Sequence, residues 1–244
     1  MSASAAAGSR TEGRGEAQAQ GAAAEGIERV YVWDLVVRLS HWIIAFSILG
    51  LAVTGIYIGR PFLSPSGPAN QQFVMAHMKT VHFYIAIVFT LTVAVRIAWM
   101  FVGSYYARWH QFLPVTRQRL RDVAAVFRFY TLIDRNPPLS VGHNPLAGFF
   151  YLLVFGLYLV MITTGLALYS VSATGYMEKW DFLLPILGGP QMARWIHHVT
   201  MWFIIGFFAH HIWSAILTSR VEGQGILDSM FSGYKFLPRS WRKK

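Results

Sequence analysis

Cysteine is absent from the 244 residues of the chain. This absence excludes disulfides, thiolate zinc sites, all-cysteine iron–sulfur clusters and the C-x-x-C-H motif that attaches haem covalently. A metal held by this chain must therefore have other ligands. Histidine, with nine copies, is the obvious candidate.

Charge is also scarce, at 13% of the residues against about 25% in a typical globular protein. Hydrophobic residues make up 55%, so a soluble surface could not be covered by polar groups. The apolar residues form four runs of the roughly 20 residues that a membrane-spanning helix needs, without the alternation of a β-barrel. We predict an all-α integral membrane protein, a four-helix bundle over residues 28–220. Its spans I to IV are residues 39–58, 81–102, 146–169 and 195–217.

The distribution of lysine and arginine predicts the orientation. Sixteen of them lie before span I, between spans II and III or after span IV, against four in the other two loops. Cytoplasmic loops carry this excess, so we expect both termini in the cytoplasm. Residues 1–27 lack the apolar core of a signal peptide and are predicted to be a disordered tail, and 221–244 a basic tail. The net charge of +10 therefore does not indicate nucleic-acid binding.

A segment between spans II and III, residues 115–132, has apolar residues at helical spacing with arginines around them. It suits an amphipathic helix lying on the inner leaflet. A helix packed against the spans would show the same pattern, and both alternatives stay open.

Histidines at membrane depth are candidates for function, although any one of them could be a structural residue bonded to a carbonyl. Span IV carries two doublets, His197–His198 and His210–His211. At 100° per residue, 14 residues fall about 40° short of four full turns, so His197 and His211 share a face. They lie roughly 21 Å apart along the helix axis, which suits two metal centres stacked across a bilayer. The other two, His198 and His210, are expected to bond a backbone carbonyl or a polar neighbour.

The direction of each span pairs these histidines with others at the same depth. His41 lies at the inner end of span I and His82 at the outer end of span II, while span IV puts His197 outside and His211 inside. This predicts an inner pair (His41 and His211) and an outer pair (His82 and His197). Two imidazoles without a carboxylate suit haem iron better than a hard cation, and zinc with two protein ligands would be unusual. We therefore predict two bis-histidine haem sites, one at each pair.

Two further residues repeat the 14-residue spacing. Gly55 follows His41 by 14 positions, at the depth of the outer pair, and would let a flat macrocycle approach the helix or two helices pack closely. Arg96 follows His82 by 14 positions, at the depth of the inner pair. Its guanidinium could pair with a haem propionate or reach for the inner surface.

Seven short motifs make the chain resemble the b-type cytochrome subunit of membrane-bound nickel–iron hydrogenases. The similarity covers nearly the whole chain after about residue 28, and the order of the motifs is more specific than any one of them. They are HW at 41–42, KTVHFYIA at 79–86, RIAWMFVGSYYAR at 96–108, GHNPLAG at 142–148, TTGLALYS at 163–170, WIHHVTMW at 195–202 and HHIW at 210–213.

The resemblance implies an all-α four-helix bundle of the di-haem cytochrome b type in a bacterial inner membrane. It also implies two b haems, with axial ligands that match His41, His82, His197 and His211. It also implies partners: an iron–sulfur small subunit and a nickel–iron large subunit outside the membrane. The chain would not act on hydrogen itself. Electrons from hydrogen oxidation would enter at the outer pair, cross to the inner pair and reduce a quinone.

We expect the quinone near the inner pair, with His143 and Asn144 as contributors. The same GHNP segment also fits a helix entry, with Asn144 as the cap and Pro145 in the first helical position.

Functions from other classes fit the residues less well. The same di-haem scaffold could serve another dehydrogenase, such as one for formate, or a stand-alone quinol-oxidising cytochrome. A proton-coupled transporter would need acidic residues at depth and paired halves, and the four spans contain no Asp or Glu. A purely structural anchor would leave four depth-matched histidines as an unexplained cost.

Overall fold

Four long apolar helices form the body of the computed structural model, which describes residues 26–62, 73–112, 117–131, 133, 145–171, 175–222 and 225–238. In chain order the elements are β1 (Ile27–Tyr31), α1 (Leu35–Gly59), α2 (Val74–Val102), α3 (Arg117–Tyr130), α4 (Pro145–Ser170), α5 (Leu183–Ile186), α6 (Pro190–Glu222), α7 (Ile226–Ser232) and β2 (Tyr234–Pro238). Short 3₁₀ turns lie at Tyr105–Ala107, Trp109–Gln111 and Gly175–Trp180.

The helices α1, α2, α4 and α6 are each long and apolar enough to cross a membrane. Each contains one of the four predicted spans. Their outward faces carry exposed apolar side chains such as Phe46, Leu91 and Phe203, a surface that lipid accepts and water does not. The prediction of an all-α membrane helix bundle is confirmed.

An apolar cluster fills the middle of the bundle, where α1 packs mainly on α2 and α4 mainly on α6. All four helices contribute to it: its buried members are Ile44, Ile48, Phe89, Val93, Val154, Tyr158 and Ile204. Along α1 this cluster lies between His41 and Thr54. It therefore separates the level of the inner pair from the level of the outer pair.

The segments before α1 and after α6 meet at one end of the bundle, which we call the sheet end. There β1 pairs antiparallel with β2. The indole of Trp33 donates to the hydroxyl of Ser229 at 3.1 Å, and the indole of Trp42 donates to the carbonyl of Met230 at 3.2 Å. The guanidinium of Arg38 donates to the carbonyl of Phe231. These bonds tie the start of α1 to the chain that follows α6.

Asp34 caps α1 and joins it to the end of α2. One carboxylate oxygen accepts from the backbone N–H of Val37 at 3.1 Å, and the other accepts from the indole of Trp99 at 2.9 Å and the backbone N–H of Ser104 at 3.4 Å. Partial burial raises the pKa of this carboxyl, but these hydrogen bonds together outweigh it and hold the pKa below its usual value.

The helix α3 packs against α4 rather than lying apart from the bundle. Val126 is fully buried, whereas Leu120 and Phe127 face outward. Of the two alternatives for residues 115–132, packing on the spans agrees with this contact.

Candidate metal centres at the two histidine pairs

The inner pair is brought together across α1 and α6. The ring centroids of His41 and His211 are 6.0 Å apart, with the ring planes at 55°. Aromatic side chains surround them: Trp42 meets His41 edge-on at 5.2 Å, and Phe207 stacks on His211 at 5.7 Å. The two histidines that were paired by depth alone are therefore neighbours in the fold.

One nitrogen of the inner pair is left without a partner. Nδ1 of His41 is buried, and no group in the described part of the chain forms a hydrogen bond with it. A buried polar atom left in this way costs about 1–3 kcal/mol.

The outer pair is held quite differently, because each imidazole is bonded to a threonine on a neighbouring helix. Nδ1 of His82 on α2 lies 2.7 Å from the hydroxyl of Thr54 on α1. Nδ1 of His197 on α6 lies 2.8 Å from the hydroxyl of Thr164 on α4. The rings of His82 and His197 are close enough to each other to interact electrostatically. All four helices therefore contribute a side chain to this level.

A glycine follows each of these threonines and gives the imidazole room. A Cβ atom added to Gly55 would lie 3.4 Å from Cε1 of His82, and one added to Gly165 would lie 3.6 Å from Cε1 of His197. Gly55 was predicted to make space at this depth, and its neighbour there is the imidazole ring itself. Neither threonine was predicted as a site residue, nor was Gly165, although the repeated Thr-Gly dipeptide was visible in the sequence.

The unpaired member of each doublet, His198 or His210, points elsewhere. Nδ1 of His198 lies 3.1 Å from the carbonyl oxygen of Arg194, as expected for a structural histidine. Its Nε2 lies only 2.7 Å from the position of a Cβ on Gly59, so the ring covers that glycine. His210 is exposed on α6, beside Trp213.

Arg96 is buried at the inner level, with 5% of its surface exposed. One guanidinium nitrogen, Nη1, has no hydrogen-bond partner among the residues that the structure describes. The guanidinium lies 5.6 Å from the ring centroid of Phe112 and interacts electrostatically with Tyr151. Of its two predicted roles, reaching for the inner surface does not fit this burial, whereas pairing with an anion would satisfy the free N–H.

The predicted quinone contributors His143 and Asn144 lie outside the described residues. Pro145 begins α4, as the helix-entry interpretation of GHNP expects. Within the described ranges no three His, Cys, Asp or Glu side chains come together. A closed zinc site made of protein ligands is therefore absent from that part of the chain.

The chain is similar to known proteins over a range that includes both histidine pairs. A family model described as prokaryotic cytochrome b561 matches residues 32–233, a range that includes both histidine pairs. The chain is 36% identical to a probable Ni/Fe-hydrogenase B-type cytochrome subunit of Cupriavidus necator, over 88% of this chain and 91% of that protein. A protein of the same description from Bradyrhizobium diazoefficiens is 36% identical, over 89% and 90%. A probable Ni/Fe-hydrogenase 1 B-type cytochrome subunit of Escherichia coli is 33% identical, over 84% and 90%.

Proposed function

Because this chain belongs to the prokaryotic cytochrome b561 family, we propose that it is the electron-transfer subunit of a membrane-bound nickel–iron hydrogenase. Electrons from a periplasmic hydrogenase would pass through two b haems, one at each histidine pair, to a quinone. The observation that carries this proposal is the placement of two imidazole pairs at different levels of one apolar bundle, with the buried cluster between them.

The residues of the inner pair fit a haem iron. An imidazole nitrogen lies about 2.0 Å from a first-row metal, which puts the ring centroids of two imidazoles on opposite sides of one metal roughly 6 Å apart. The observed 6.0 Å between His41 and His211 matches that spacing. When bound, the haem would supply one-electron redox chemistry at its iron, and the chain's own side chains would hold it and exclude water.

Arg96 would complete the inner level by binding a carboxylate. Its buried Nη1 lacks a partner among the described side chains, and a haem propionate would supply both the opposite charge and the acceptor. At the outer level His82 and His197 would be the ligands, with Gly55 making room for the ring of His82.

The path proposed for the electrons runs from the outer pair to the inner pair. The loops 59–80 and 170–194 would meet the small subunit of the hydrogenase, which is bound to the large subunit. The quinone would lie near the inner pair, with His143 and Asn144 contributing. The sheet end, which gathers both described ends of the chain, would face the cytoplasm from the inner membrane, and the lysine and arginine distribution supports this orientation.

A haem count tests the proposal. The chain is purified from membranes with its native partners, and haem is measured by pyridine haemochrome and by reduced-minus-oxidised spectra. We expect two b haems per chain, both reduced when hydrogen is supplied. A complex without haem would contradict the electron-transfer function. Haems that formate reduces and hydrogen does not would favour the alternative, another dehydrogenase.

A further inference from the structure

The hydroxyl groups of Thr54 and Thr164 each have one hydrogen but three neighbours, an imidazole nitrogen and two carbonyl oxygens. The farther carbonyl oxygen belongs to Leu51 for Thr54 and to Met161 for Thr164, at 3.3 Å in both cases. The hydroxyl of Thr54 lies 2.7 Å from the carbonyl oxygen of Gly50, and the hydroxyl of Thr164 lies 2.7 Å from that of Val160. A carbonyl oxygen can only accept a hydrogen bond, so each hydroxyl must donate to it. The threonine oxygen is then left as an acceptor toward the histidine.

This arrangement determines which nitrogen of each imidazole carries the proton. Nδ1 of His82 and Nδ1 of His197 must be the donors in the bonds of 2.7 and 2.8 Å to the threonine oxygens. In a neutral imidazole the other nitrogen, Nε2, then keeps its lone pair and is the only possible metal ligand. The ring orientation is fixed by the same bond.

We propose that Thr54 and Thr164 are positioning residues that preset His82 and His197 to bind iron through Nε2 and lower the reduction potential of the outer haem relative to the inner one. This inference rests on the proposed function. An axial histidine that donates its second N–H to an acceptor is a more basic ligand, and a more basic ligand favours the oxidised metal. Nδ1 of His41 has no such acceptor among the described residues, so within that part of the chain the inner pair has at least one of these bonds fewer than the outer pair.

The difference between the two levels would direct electron transfer. An outer haem with the lower potential gives its electron to the inner haem spontaneously, so the flow from outside to inside would be downhill within this chain. Two threonines from α1 and α4 would therefore contribute to the direction of transfer without contacting the iron.

The test replaces each threonine by the isosteric valine in the complex purified with its native partners. Thr54→Val and Thr164→Val are expected to keep both haems and raise the midpoint potential of the outer haem, while that of the inner haem stays unchanged. Removing the hydrogen-bond partner of a ligating histidine weakens metal affinity by about tenfold or more. If the affinity for oxidised iron alone fell tenfold, the midpoint potential would rise by ~59 mV for a one-electron couple. The electron paramagnetic resonance g-values of the oxidised outer haem should shift as well.

Two further variants separate the bond from a general disturbance. Thr54→Ser keeps a hydroxyl and should restore the wild-type potential. Thr90→Val is the matched control, because the hydroxyl of Thr90 bonds the carbonyl of Ala86 at 2.7 Å, with no imidazole bonded to it in the described part of the chain. The signals of the outer haem are assigned by comparison with His82→Ala, from which that haem should be missing.

Each result decides the proposal. If Thr54→Val and Thr164→Val keep both haems with unchanged potentials and g-values, the positioning role is wrong. If Thr54→Val loses the outer haem, Thr54→Ser must retain it at the wild-type potential, and failure to do so overturns the inference. A wild-type complex without haem would defeat the proposed function instead. The tautomers would then be decided by ¹⁵N chemical shifts of the labelled histidines.

Discussion

Each imidazole of the outer pair is bonded to a threonine of a neighbouring helix, whereas the closest groups around the inner pair are aromatic rings. The outer bonds run from α2 to α1 and from α6 to α4, so the bundle itself holds both rings. At the inner level the rings of His41 and His211 lie 6.0 Å apart, and Nδ1 of His41 is unpaired among the described groups.

The contrast shows two ways of orienting a histidine inside an apolar bundle. Hydrogen bonds fix both the tautomer and the angle of a ring, while packing restricts the angle alone. The inner level also depends on the sheet end, because the indole of Trp42, next to His41, donates to the carbonyl of Met230 beyond α6. We therefore expect the inner pair to depend more on the terminal segments than the outer pair does.

The largest effects are expected from removing the predicted ligands one at a time. His41→Ala or His211→Ala should abolish the inner haem and leave the outer one, and His82→Ala or His197→Ala should do the reverse. Each variant should contain one haem per chain by pyridine haemochrome, half of the expected wild-type content.

The remaining histidines of the doublets are the controls for that experiment. His198→Ala and His210→Ala should keep both haems, because His198 is bonded to a carbonyl and His210 is exposed. Loss of a haem in either control would mean that the 14-residue pairing is wrong.

The next largest effect concerns the space beside the outer imidazole. Gly55→Val should displace His82 and reduce the outer haem content while sparing the inner haem, because even a single Cβ would lie 3.4 Å from the ring. Gly55→Ala should be tolerated. Gly156→Val is the control, since a Cβ there meets nothing within 4 Å among the described atoms. Equal haem contents in Gly55→Val and Gly156→Val would show that this glycine does not shape the outer level.

A smaller effect is expected from the contact that closes the sheet end. Trp33→Phe removes the bond from the indole to the hydroxyl of Ser229, which is fully buried. The cost should be about 1 kcal/mol of stability, since one hydrogen bond of this kind contributes about that much. Heating should release the inner haem from this variant earlier than from the wild type, with the outer haem unchanged. If the release temperatures of both haems fell by the same amount, the inner level would not depend on the sheet end more than the outer level does.

The smallest effect is expected from pH, at the carboxylate of Asp34. Its pKa in the folded chain is below the ordinary 3.8, so its ionised form stabilises the fold. This stabilisation is complete above the unfolded pKa and is lost as the pH falls below about 3.8 toward the folded pKa. Asp34→Asn keeps one acceptor oxygen but loses the charge and the second acceptor, so it should lose up to about 1 kcal/mol at neutral pH and flatten the acid limb. Thermal melts between pH 3 and 6 would show it, and an identical acid limb in both proteins would exclude this role.

Much of this architecture could be predicted from local patterns. The four helices follow from apolar runs of sufficient length, and their confirmation needed no packing information. The inner pairing of His41 with His211 followed from span direction and depth, and the structure brings those two rings together. Arg96 at the inner level followed from the same 14-residue spacing.

Other features depend on contacts between distant segments. Thr54 and His82 are separated by 28 positions and Thr164 and His197 by 33, and they meet only because of how the helices are rotated against one another. The sheet joins residues near both ends of the chain, and β2 lies in a segment whose composition indicated only a basic tail.

The helices and the level of each histidine along its own helix follow from hydropathy and rise per residue, which are local properties of the sequence. Which nitrogen of each histidine has a partner depends instead on contacts between helices. Periodicity places a residue on one face of its own helix, but the rotation and offset of the neighbouring helix arise from side-chain packing along the whole interface.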